Sequence, residues 1–213
     1  MTNPVTFVGD EAIIGFNPKA IAKALSVQVS SVQRQLDKLS DKETLTRLGI
    51  MVDALAKLVR SIPKDVLLKD FDGRTAPLMV SPRSELHYQQ FCLDARKTGQ
   101  WLADELFVDL PKKEVDWIDS SNPEELADYG NRVANGYKEW SNNISQQDMD
   151  QPIKGYYGDT TMSALLNIAL GHIAFHIKTH YKDARKFAGI EPPVALKDEL
   201  FEGIPSLIGK PGQ

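Results

Sequence analysis

Apolar positions in the first third of the chain form two helical stripes. Ile21, Leu25, Val29, Val32, Leu36 and Leu39 step by 4, 4, 3, 4 and 3 residues, which puts them on one helical face. Leu45, Leu48, Val52, Leu55, Val59 and Ile62 alternate steps of 3 and 4, and Pro63 ends that run. Between the stripes, Ser40-Asp41-Lys42-Glu43 is a capping-box pattern with Glu43 at the third helical position. Together they predict a helical hairpin over residues 18–62, its stripes facing each other or a common core.

Proline punctuation organises the remainder. The twelve prolines leave long proline-free windows at 19–62, 83–110, 124–151 and 153–191. Asn17-Pro18, Ser81-Pro82 and Asn122-Pro123 each place a capping oxygen before a proline at the first helical position. A third helix is therefore expected from Pro82 to about Leu106. A fourth starts at Pro123, with Leu126, Val133, Tyr137, Trp140 and Ile144 on one side. Residues 63–81 and 145–158 read as irregular. A fifth helix, capped by Asp159 or Thr160, ends near Phe187, with Gly189 beyond it and Pro192-Pro193 blocking extension. No segment sustains two-residue alternation. The pattern predicts an all-α fold, a four-helix bundle with one additional N-terminal helix. Residues 1–213 would form a single domain: the hairpin at 18–62, further helices over 82–193 and a tail at 194–213.

Composition narrows the function classes. With 213 residues, 42% hydrophobic and 25% charged, the chain can bury a sizeable core as one globular domain. Its 25 Lys+Arg against 29 Asp+Glu give a net charge of −4, which disfavours a nucleic-acid partner. The single cysteine, Cys92, cannot form an internal disulfide and fits a reducing compartment. Met1-Thr2-Asn3-Pro4 lacks the start of a signal peptide, and no run of 18 apolar residues exists. A cytoplasmic location without a membrane partner is the expectation.

The four histidines carry the chemistry, because three fall within nine residues. His172, His176 and His180 follow at i, i+4 and i+8 on the fifth helix, so neighbours share a face one turn apart. Two imidazoles at this spacing can chelate one divalent ion. Leu165, Leu166, Ile168, Leu170, Ile173, Phe175 and Ile177 crowd the first half of this helix, which places His172 and His176 inside the bundle. There a metal would satisfy rings otherwise costly to bury, although hydrogen bonds to neighbouring helices would do so too. By His180 the helix carries Lys178, Lys182, Arg185 and Lys186, so His180 reads as a surface or boundary residue. His87, early in the third helix, is the remaining histidine. Glu85-Leu86-His87 lacks the Glu-x-x-His spacing of di-iron bundles.

Leu165-Leu166, the run Gly171-His172-Ile173-Ala174-Phe175-His176 and the exit Ala188-Gly189-Ile190-Glu191-Pro192-Pro193 resemble the DinB/YfiT-like superfamily of metalloenzymes over residues 82–193. The resemblance implies a DinB/YfiT-type bundle with a three-histidine divalent site, nickel or zinc, on His87, His172 and His176. Met79-Val80 stands where the family has a tryptophan, and His180, Asp94 or Asp183 remain alternatives to His87 as third ligand. It further implies a homodimer acting on a small molecule, as a hydrolase or as a transferase of a low-molecular-weight thiol. No catalytic residue beyond the ligands is assigned. The competing expectation is a non-catalytic helical bundle, an interaction or stress-response protein that has lost the site.

Overall fold

A computed structural model describes residues 5–9, 11–14, 24–25, 39–73, 77–101, 122–155 and 159–204. The expected helix over residues 19–39 lies outside the described residues, apart from Ala24, Leu25 and Leu39. Four long helices dominate: α1 (Asp41–Ser61), α3 (Val80–Thr98), α4 (Pro123–Asn142) and α6 (Met162–Asp183). Two short ones, α2 (Lys64–Leu67) and α5 (Gln146–Met149), lie in stretches read from sequence as irregular.

Ser40 and Asn122 cap their helices as expected, whereas α3 starts at Val80, before Ser81-Pro82, with no side-chain cap at Met79, and Asn17-Pro18 lies outside the described residues. The Ser40 hydroxyl accepts from the Glu43 amide at 3.2 Å, and the Asn122 side chain accepts from the Glu124 amide at 3.2 Å. Thr161, rather than Asp159 or Thr160, caps α6 by accepting from the Ala164 amide at 3.3 Å. Helix α3 ends earlier than Leu106: Gly99 adopts φ 67° and its amide bonds the Ala95 carbonyl, the left-handed exit glycine favours. A π-helical turn at Ala184–Ala188 carries α6 on to Gly189, close to the predicted end.

Small strands depart from the all-helical expectation. β1 (Val5–Val8) pairs antiparallel with β2 (Glu11–Ile14). β3 (Gln100–Trp101) runs parallel to β4 (Pro152–Gly155), which pairs antiparallel with β5 (Thr160–Thr161). None exceeds four residues, too short for alternation to register in sequence.

Side-chain pairings fix the bundle. Arg60, at the end of α1, holds Glu124 and Asp128 at the start of α4, so these helices are antiparallel. Leu86 meets Gly130 and Leu93 meets Gly136, so α3 and α4 run parallel. Glu85 touches His172 and Gln89 touches Ala169, making α3 and α6 antiparallel. Helices α1 and α3 lie largely diagonal to each other, as do α4 and α6. Leu45, Leu48, Val52, Leu55 and Val59 are fully buried, as the second stripe predicts. Beyond the π turn the chain packs back on the bundle: Arg47 donates to the carbonyls of Leu200 and Glu202 at 3.0 and 2.6 Å. No helix among the described residues is long and apolar enough to cross a membrane.

Candidate metal centre

Helix α6 presents His172 and His176 on one face, their ring centroids 4.4 Å apart. They are half-buried rather than enclosed, and neighbouring Phe175 is 46% exposed. The group that joins them is Glu85 of α3, only 2% exposed. Its Oε2 lies 2.8 Å from Nδ1 of His172. One ligand atom from each of Glu85, His172 and His176 falls within 4.8 Å of the others.

The 2.8 Å approach is not an aligned hydrogen bond: the buried Nδ1 has no partner in line with its ring N–H direction. Two donor atoms instead converge on the same space. Tetrahedral ligands about 2.1 Å from an ion lie about 3.4 Å apart, so this pair is already near chelating spacing.

Burial and neighbouring charges act on Glu85 and His176 together. Burial alone would raise the Glu85 pKa, but the neighbouring His172 and His176 and a bond from Gln89 outweigh it and hold the carboxyl below its ordinary value. Burial lowers the His176 pKa, with Glu85 opposing and His172 reinforcing the shift. Tyr88 stacks on the His172 ring at 4.0 Å and 11°, and Trp101 of β3 meets Tyr88 edge-on at 5.4 Å. The small sheet thus braces the ring that meets Glu85.

The structure does not bring His87 to this group. Residues two positions apart on a helix point about 200° apart, so α3 aims Glu85 at α6 and His87 at α4. His87 is 4% exposed, and its Nδ1 shares a 3.2 Å hydrogen bond with the Tyr129 hydroxyl. Burial, aided by the charge of Arg83, pushes its pKa down to about 4, so it rests neutral in the core. Neither alternative carboxylate replaces it: Asp94 accepts from Gln90 at 3.0 Å, and Asp183 lines a small cavity with His180. His180 is not the solvated residue its lysine-rich surroundings predict. It is 5% exposed, because Leu58 and Val59 of α1 and Leu78 line the same cavity.

Glu85 was the residue missed by sequence reasoning. Its signal was present: Glu85, Gln89 and Cys92 fall at helical spacing in line with Pro82, so a carboxylate stands on the buried stripe of α3. Cys92 is fully buried and burial pushes its thiol pKa up, which fits packing.

No family model matches the chain, and no curated protein matches it. Among solved structures, the fold is similar to that of a DinB-like protein, YjoA, from Bacillus subtilis. The two superpose with a TM-score of 0.52 at 16% sequence identity, over 71% of this chain and 96% of the other. The architecture is therefore a DinB-like helical fold carrying a candidate metal-binding group, the buried Glu85 with the half-buried His172 and His176.

Proposed function

We propose that this chain is a metal-dependent enzyme acting on a small molecule, with one divalent ion held by Glu85, His172 and His176. The observation that carries the reading is the convergence of a buried carboxylate and two half-buried imidazoles. Two histidines and one carboxylate suit zinc or nickel and leave coordination positions for a substrate. Such an ion supplies Lewis acidity, which favours the anionic form of a bound small ligand. The chain's own groups do the rest. Glu85 contributes negative charge that no nearby Lys or Arg side chain neutralises in a described ion pair. His176 stays neutral near pH 7, so its ring lone pair is available. Exposed Phe175, edge-on to His176 at 5.2 Å, offers an apolar contact at the mouth.

Hydrolysis and transfer of a low-molecular-weight thiol are the reaction classes favoured, in a cytoplasmic homodimer. The DinB-like fold supports this reading together with the donor set. A second reading, a non-catalytic bundle, is favoured by the same 2.8 Å contact, since Glu85 and His172 can face each other across α3 and α6 without an ion between them. Metal analysis of tag-free protein separates them. The enzyme reading expects close to one equivalent of zinc or nickel in wild type and little in Glu85→Gln or His172→Ala. Metal-free wild type after growth in zinc- and nickel-supplemented medium would leave the non-catalytic reading standing.

A further inference from the structure

Behind Glu85 lies a polar chain that packing alone does not require. Gln89 is one turn further along α3 and fully buried. Its Nε2 donates to Glu85 Oε1 at 2.8 Å and to the Ala169 carbonyl of α6 at 3.3 Å. Tyr137 of α4, also fully buried, places its hydroxyl 3.0 Å from Gln89 Oε1 and 2.9 Å from the Gln89 carbonyl, donating to them. The amide can take only this orientation. Rotated by 180°, its oxygen would face two acceptors, the Glu85 carboxylate and the Ala169 carbonyl, while its N–H₂ would turn from both.

We infer that Gln89, oriented by Tyr137, is a positioning residue that occupies Oε1 of Glu85 and commits Oε2 alone to the metal, making Glu85 a single-oxygen ligand. This rests on the proposed metal site. The two Glu85 oxygens have separate duties: Oε1 faces the amide, and Oε2 faces His172 at 2.8 Å. A carboxylate held by such a fixed donor keeps one rotamer, with Oε2 turned toward His172 and one lone pair of Oε1 engaged by Gln89. Groups that hold a ligand in this way typically change metal affinity by about 10–100-fold when removed.

Gln89→Met is the variant of choice, because it keeps the volume and leaves Tyr137 its bond to the backbone carbonyl of residue 89. Metal-free wild type, Gln89→Met, Tyr137→Phe and Gln90→Ala would be titrated with Co²⁺, following the visible absorption bands, with thermal unfolding of each metal-free protein recorded alongside. The expected result is Co²⁺ binding weakened about 10–100-fold in Gln89→Met, with altered band positions. Tyr137→Phe, which removes the donor to the amide oxygen, should weaken binding by a smaller factor and serves as the deciding variant if Gln89→Met does not fold. Gln90→Ala should bind as wild type, since Gln90 faces Asp94. Affinity within about twofold of wild type, with unchanged bands, in a folded Gln89→Met would overturn the inference while leaving the metal site intact. An equal loss in Gln90→Ala would overturn it too. Absence of Co²⁺ binding by wild type would instead overturn the proposed site, and this inference with it.

Discussion

Glu85 and His87 are neighbours in sequence and belong to different environments, which gives each its own pH signature. His87 is neutral in the folded protein, with a pKa of about 4 against about 6.5 when unfolded. The unfolded chain therefore binds more protons between those values, and stability must rise with pH across that window. The shift corresponds to about 3 kcal/mol, present in full above pH 6.5 and lost progressively as pH falls toward 4. His176, whose pKa is also lowered, adds to the same trend. Glu85 shifts in the same direction: its lowered pKa contributes stability above about pH 4.5 that disappears in stronger acid. Urea unfolding from pH 4.5 to 7 should thus show a positive slope that flattens in His87→Gln. An unchanged slope in that variant would place the titration elsewhere. At this scale the sequence was legible for the histidine pair, because the four-residue spacing forces two rings onto one face. It was not legible for the third donor. Whether Glu85 or His87 reaches α6 depends on how α3 is rotated about its axis, and α3 has apolar residues on several faces.

At the level of elements, close helix approach rests on two glycines of α4 with different neighbours. A Cβ at Gly130 would lie 2.8 Å from the Ala56 Cβ, an atom fixed to the α1 backbone. A Cβ at Gly136 would lie 2.9 Å from Leu93 Cδ1, the movable end of a side chain. Alanine gains about 1 kcal/mol over glycine in a helix interior. At Gly136 that gain should survive, making Gly136→Ala neutral or slightly stabilising. At Gly130 overpacking of about 1–3 kcal/mol should prevail and separate α1 from α4. Chemical denaturation of the two variants checks the contrast, and equal effects would contradict it. Helix α1 was readable almost residue by residue, since its capping box, its unbroken stripe and Pro63 agree. The β1–β2 hairpin was less so, although Gly9-Asp10 between two apolar runs is a recognised turn pair. The end of α3 depended on Gly99, whose φ of 67° no apolar periodicity reveals.

For the whole molecule, order of packing matters more than order of sequence. Helices α1 and α6 are distant in the chain yet parallel neighbours, tied by Ser163 donating to Asp41 at 2.5 Å near their starts. The segment after Gly189 crosses both. Tyr181 donates to the Val194 carbonyl at 2.8 Å, Lys178 sits 4.1 Å over the Phe201 ring, and Arg47 holds the Leu200 and Glu202 carbonyls. Replacing Arg47 with alanine should release residues 198–204, seen as faster amide hydrogen exchange there, at a cost of about 1–3 kcal/mol. Exchange as slow as in wild type would show that the apolar contacts suffice. The same architecture sets Glu85 of α3 against the half-buried α6 histidines, and that placement is the centre of the account. Its most direct test is anomalous-difference crystallography of zinc- or nickel-loaded protein at the metal's absorption edge. The account predicts a single strong peak within about 2.3 Å of Glu85 Oε2 and a ring nitrogen of each of His172 and His176. A peak beside His87, or none at the Glu85 group in crystals soaked with the ion, would contradict it.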